Sequence, residues 1–286
     1  MKKLDSTSLL SICDSSLVEK LNNKICKYLL GVHKYSSNFA AKGDLGSHGL
    51  LLQCLQQSMK YWARFLDEHM DHESLVYKSY MENVNNLRSN SNCANWSSYV
   101  SSILCKFGLS QTWDNQNLNN YRGKENFFTT FKDIVIKKYE SDWEQVVTNN
   151  DGKLRLYKLF KTQFSTENYL LCNKFDSRKY FSRLRTSAHR LNIETGRHKR
   201  PPIPRESRTC NFCNNDSVED ECHFLLECTL TSELRSSLFK KLDFTLINTL
   251  TDIDLFIFIM SYNQGDTEII GVILDFVNKA FNKRFN

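Results

Sequence analysis

Cys210-x2-Cys213 followed by His223-x4-Cys228 is the part of this 286-residue sequence with the clearest chemistry. Four of the ten cysteines fall within residues 208–228, RTCNFCNNDSVEDECHFLLEC, with nine residues between the two half-motifs. Thiolate sulfur and imidazole nitrogen are the donors that zinc takes in closed, tetrahedral structural sites, and Cys-x2-Cys presents two of them on one turn. Four protein ligands leave no open position for a water, so the expected role is structural and not catalytic. A bound ion would also supply folding energy that a short polar loop cannot draw from a core. One choice stays open: Cys222 adjoins His223, and sequence neighbours rarely bind one tetrahedral ion together. The spacing favours Cys210, Cys213, His223 and Cys228, with Cys222 in place of His223 as the alternative. Reduced cysteines with no metal are the plainer reading, which a pair of matched half-motifs weakens.

Other clusters offer less. His69-x2-His72 in FLDEHMDHE (65–73) sits among Asp67, Glu68, Asp71 and Glu73, but a zincin helix needs His-Glu-x-x-His, and a polar helix end is the better reading. GDLGSHG (43–49) lacks the Lys-Ser/Thr of a P-loop and reads as an interhelical turn. MKKLDSTSLLSICDSS is broken by Asp5 and serines and reads as no signal peptide. The longest apolar run, DLFIFIM (254–260), is far short of the ~20 residues a membrane helix needs. The expectation is an intracellular, reducing location, nuclear or cytoplasmic, where clustered cysteines bind metal and do not form disulfides.

The cluster must be positioned by what precedes it. Net charge is +6 over the chain, yet residues 171–208 hold eleven Lys/Arg against three acids, so the remainder is slightly acidic. The segment opens with a predicted helix over 176–191, in which Phe181, Leu184, Ala188 and Leu191 share one side within about 80°. Lys179, Arg183 and Arg190 project oppositely, flanked by Arg178 and Arg185. Then ETGRHKRPPIPRESR carries all three prolines and reads as a stiff, extended arm bearing Arg197, Lys199, Arg200, Arg205 and Arg208. Such local charge suits the phosphates of RNA or DNA, with His189 and His198 adding to the surface. Phe212 and Phe224 either stack on bases or form a small core for the loop.

Upstream, few glycines (10) and prolines (3) with 41% hydrophobic residues favour helices over a many-turned β architecture. Leu51, Leu55, Met59, Trp62 and Leu66 mark one helical face, with Ser47 as the expected N-cap. Similar patterns span 9–30, 73–87, 96–107 and 126–147, then 231–242, 251–262 and 267–284. Trp62, Trp96, Trp113 and Trp143 are expected in the core. The fold class is mainly α: a helical module over 1–165, a basic helix and arm over 166–208, a zinc loop over 209–230 and a C-terminal helical segment over 231–286.

LRTSAHRLNIETGRHKRPPIPRESRTCNFCN and VEDECHFLLEC resemble the C-terminal region of reverse transcriptases of non-LTR (LINE-like) retrotransposons, which ends in a Cys-Cys-His-Cys cluster. KICKYLLGVHKYSSNFAAKGDLGSHGL and MKYWARF are similar to the stretch following the polymerase core of such proteins. The resemblance covers about residues 17–230. It implies Cys210, Cys213, His223 and Cys228 as ligands, with Cys222 at a variable position, and a role in gripping nucleic acid during target-primed reverse transcription. The chain departs from the family where it matters for catalysis: it has no Asp-Asp pair to hold polymerase magnesium ions. The expectation is a non-catalytic, zinc-stabilised region that binds RNA, an RNA–DNA hybrid or target DNA. The polymerase would be upstream or separate, and no membrane would be involved. A helical protein-interaction module with a purely structural zinc is the alternative.

Overall fold

The computed structural model describes residues 16–90, 94–150, 152–214, 216–242, 249–262 and 267–285. The fold is mainly α, and no strand occurs among the described residues beyond an isolated antiparallel bridge between Thr209 and Val218. The helices run α1 Leu17–Leu30, α2 Asn38–Leu45, α3 Leu50–Ala63, α4 Leu75–Ser89, α5 Trp96–Lys106, α6 Ser110–Asn115, α7 Lys124–Thr148, α8 Tyr157–Phe160, α9 Phe175–Arg185, α10 Asn192–Thr195, α11 Ser232–Phe239, α12 Asp252–Ser261 and α13 Thr267–Phe285.

Local chemistry explains most of these boundaries. Ser74 caps α4 by accepting from the Tyr77 N–H, Asn95 and Ser98 form a reciprocal capping box on α5, and Thr251 caps α12 through the Asp254 N–H. Two expectations differ. Ser47 is not a cap: α3 starts after an extended Gly49, while the Ser47 N–H is spent on Lys42 O at the end of α2. The predicted helix over 176–191 stops at Arg185, because Ser187 adopts a left-handed conformation and Thr186 turns its hydroxyl back onto Ser182 O. The first part of the 9–30 prediction lies outside the described residues.

The chain forms two compact units, one from residues 16–19 and 48–142, the other from 20–47 and 143–285. In the first unit the aromatic residues form the core. Trp62 stacks on Trp113 at 6.1 Å, meets Phe127 at 5.6 Å, and donates its indole N–H to Tyr80 Oη at 2.9 Å. Phe65 stacks on Tyr80 at 4.5 Å, and half-buried Trp96 meets Phe65 edge-on.

In the second unit, α2 enters the same core as α9. Its Gly43 leaves no room for a side chain: a Cβ there would lie 2.6 Å from Tyr157 Oη and 2.7 Å from Trp143. That close approach seats Asp44, fully buried, against the guanidinium of Arg185. Arg185 Nε and Nη2 each donate to an Asp44 carboxylate oxygen at 2.9 Å, Nη2 also lies 3.1 Å from Glu167, and Nη1 donates to Met260 O. Tyr157 and Tyr169 donate to the two Asp44 oxygens at 3.0 and 2.8 Å. Phe160 covers the guanidinium at 4.7 Å. Burial alone would raise the Asp44 pKa, but the charge and hydrogen bonds of Arg185 outweigh it and hold the carboxyl below its usual range.

Candidate metal centre

The cluster is built by a short hairpin and a widened helical turn. The Thr209–Val218 bridge closes the hairpin, with Cys210 N–H donating to Ser217 O and Glu219 N–H to Arg208 O, each at 2.9 Å. Asp220 then caps the next turn, accepting from the Cys222 and His223 N–H groups at 3.1 Å. From His223 to Glu227 the backbone is a π-helical turn, in which the Cys228 N–H bonds to His223 O at 2.8 Å. This turn makes the x4 spacing work. Five residues of α-helix rotate two side chains about 140° apart, whereas an i to i+5 turn brings His223 and Cys228 onto one side.

The donor separations that result suit a tetrahedral site. Cys210 Sγ and Cys228 Sγ are 3.8 Å apart, Cys213 Sγ and Cys228 Sγ 3.7 Å, and Cys213 Sγ and His223 Nε2 3.5 Å. All four donor atoms lie within 4.8 Å of one another, and all four residues are buried. An ion bonded at about 2.3 Å to sulfur and about 2.1 Å to nitrogen requires S–S edges near 3.8 Å and S–N edges near 3.6 Å. The observed edges match this requirement and are too long for disulfides.

The structure therefore brings Cys210, Cys213, His223 and Cys228 together and leaves Cys222 out. Burial and the carboxylates of Asp220, Glu227, Asp252 and Glu221 push the Cys222 thiol up to about 12, and its sulfur is not among the four clustered donor atoms. Cys213 goes the other way. Burial raises it, but the hydroxyl of Thr229, 3.4 Å away, and the Thr229 N–H at 3.3 Å favour the thiolate and bring it down to about 6. Burial raises Cys210, and it pushes Cys228 up to about 12. Those two thiols are the ones a cation would have to deprotonate.

Sequence reasoning missed the supports around the ligands. Glu227 Oε2 sits 3.2 Å from His223 Nδ1, the carboxylate–imidazole relation that orients a metal-binding histidine. Its signal was legible, an acid four residues after the histidine on the same turn. Arg235 donates to Cys228 O at 3.2 Å and closes the π turn from below. Glu219 and Glu221, both 1% exposed, tie the hairpin to the rest of its unit. Glu219 accepts from Arg284 at 2.6 Å and from Asn192 N–H at 2.7 Å. Glu221 accepts from Arg155 at 2.6 Å and Ser187 at 2.9 Å, and lies 3.0 Å from His189 Nε2. Burial would raise Glu221, but His189 and Arg155 lower it to about 2.

The predicted cations divide. Arg185 is 1% exposed and committed to Asp44, so its assignment to a nucleic-acid surface is corrected: a helix-flank position became the centre of a buried ion pair. Arg208 is half-buried and grips the backbone of the arm, donating to Ile203 O at 2.8 and 2.9 Å and to Ile193 O at 2.8 Å. Gly196 lets it pass, since a Cβ there would lie 2.8 Å from the Arg208 side chain. Arg183 Nε donates to Gly31 O at 2.9 Å, Lys179 is half-buried, and Arg197 lies 3.3 Å from Glu194. Arg190, Lys199, Arg200 and Arg205 face solvent, Arg205 at 3.8 Å from Asp220. His198 is exposed and His189 is buried. Phe224 is core, packed on Phe281 at 4.9 Å, while exposed Phe212 carries the Arg284 guanidinium 4.6 Å over its ring. His69 and His72 are exposed and gather no metal-like group.

Compared with protein-family models, curated proteins and solved structures, the chain matches none of them. Among the described residues, no helix is long and apolar enough to cross a membrane.

Proposed function

We propose that the cage takes Zn2+ and that segment 190–228 is a metal-stapled platform binding the sugar–phosphate backbone of RNA or DNA, with no catalysis of its own. Three thiolates and one imidazole in a closed tetrahedron are zinc's preferred structural set, and no coordination position is left for chemistry. With zinc bound the cage carries roughly one negative charge, which Arg235 beneath Cys228 offsets. The observation that carries the reading is the arm. Arg208 clamps it at Ile193 and Ile203, so Lys199, Arg200 and Arg205 stand in solvent on a fixed base. Backbone contacts of this kind position a nucleic acid without reading its sequence. The resemblance to the end of a non-LTR reverse transcriptase agrees with this role, and an upstream or separate polymerase would do the copying inside the cell.

The test is anisotropy of labelled single-stranded RNA and duplex DNA between 50 and 200 mM salt. Four phosphate contacts, from Arg190, Lys199, Arg200 and Arg205, imply a log K against log salt slope near −3 for a single strand, and K199E/R200E should flatten it by about 1.4. Salt-independent binding, or none at 50 mM, refutes the proposal. A helical interaction module with a purely structural ion is the second reading, and the exposed apolar side of α1 favours it.

A further inference from the structure

Helix α1 buries two amides beside Cys26 and Leu30 and leaves a row of larger apolar residues outside. Between Lys20 and Leu30, Asn22, Asn23, Cys26 and Leu30 are buried, and Cys26 and Leu30 pack with Ala41, Val32, Leu45 and Leu170. Leu21, Ile25, Tyr28 and Leu29 are instead 57, 46, 82 and 54% exposed. Their i, i+4, i+7, i+8 spacing places them on one stripe about 100° wide, the width by which a helix packs on a partner. Single exposed apolar residues are ordinary, but four in a contiguous helical row mark an interaction surface.

The edges of the stripe say what covers it. Along one side run Lys20 and Lys24, both exposed and with no acidic partner among the described residues; Lys27, behind them, donates to Lys34 O at 2.8 Å. The other side is closed by the protein itself, where Asn22 is buried. A second copy fits poorly, because an antiparallel two-fold pairing would set the lysine edge against itself. A bilayer fits poorly too, since the fold itself closes one long edge of the stripe at Asn22, where a helix in the headgroup region would sink ~5–10 Å.

We propose that Leu21, Ile25, Tyr28 and Leu29 dock an amphipathic helix of another polypeptide, about three turns long. Its apolar seam would carry Asp or Glu along the edge that meets Lys20 and Lys24. The seam supplies contact area, and the charged edge sets orientation and rejects basic helices.

The test uses two fluorescein-labelled 18-residue helical peptides with leucine at i, i+3, i+4 and i+7, one bearing glutamates along one edge and the other lysines. The full chain is titrated with each, followed by anisotropy. The glutamate peptide should bind and the lysine peptide should not. L21S/I25S, both at exposed positions, should weaken binding at least about tenfold with an unchanged helical circular-dichroism spectrum and melting curve. K20E/K24E should reverse the preference between the two peptides. Equal binding of both peptides, no binding of either, or unchanged binding by L21S/I25S overturns the proposal. So does L21S/I25S-sensitive sedimentation with vesicles of phosphatidylcholine and phosphatidylserine, which would assign the stripe to a membrane. L21S/I25S-sensitive dimerisation in light scattering would assign it to a second copy.

Discussion

Replacing Arg185 with alanine should destabilise the second unit and not merely weaken a nucleic-acid contact. The change leaves the Asp44 carboxylate at 0% exposure with the Tyr157 and Tyr169 hydroxyls and the more distant charge of buried Lys161, and leaves Met260 O without the guanidinium that satisfied it. Removing one partner of a buried pair costs about 3–5 kcal/mol. Loss of the guanidinium from the Phe160, Tyr169 and Phe181 rings adds a smaller amount. A cost near 4 kcal/mol is a large share of the ~5–15 kcal/mol typical of a domain. With a urea dependence of about 2 kcal/mol per molar, the unfolding midpoint should fall by roughly 2 M. R185K should recover little, because one ammonium cannot span Asp44, Glu167 and Met260 O as the planar fork does. D44L/R185M should recover most of the loss. Tyr169 keeps Ser182 Oγ at 2.9 Å and Tyr157 keeps Ala40 O at 3.2 Å, so neither hydroxyl is stranded. Urea unfolding followed by circular dichroism measures all three. An R185A midpoint equal to wild type, or a double variant no better than R185A, would refute the reasoning.

Two further predictions concern the hairpin. C222S should keep one bound ion per chain by plasma emission spectrometry while H223A loses it, and E227Q should weaken the metal about 10–100-fold by releasing the imidazole; metal loss in C222S with retention in H223A would return Cys222 to the ligand set. Glu221 titrates near 2 when folded against its ordinary 4.5, so it contributes stability that is complete above about pH 5 and falls as the pH drops through 4.5 towards 2. The span is about 3 kcal/mol, and E221Q should remove that part of the acid dependence in urea titrations at pH 3 to 6; identical pH profiles would contradict the assignment.

Much of this protein was legible locally because helix signals are local. The apolar rows of α3, α7 and α13 repeat at helical spacing, although the one cap named from sequence, Ser47, is not a cap. The ligand set was legible for a similar reason, since donor type and spacing carry most of a tetrahedral site. Spacing favoured His223 with Cys222 left open, and a π turn that no residue pattern specifies brings His223 and not Cys222 to the other three donors.

The sequence by itself determined element type, the donor types and spacing gathered between residues 210 and 228, and the concentration of positive charge between residues 171 and 208. Tertiary structure decided what each charge does. Arg185 and Arg208 look no different in sequence from Arg190 and Arg200, yet the first two are spent on a buried carboxylate and on backbone carbonyls while the others meet water. The same holds for α1, whose apolar row would be assigned to the core on periodicity alone and is instead exposed. Periodicity reports that a helix has two sides. Which side is buried depends on neighbours distant in sequence, here Ala41 and Leu170 against Cys26 and Leu30, and only the folded chain brings them together.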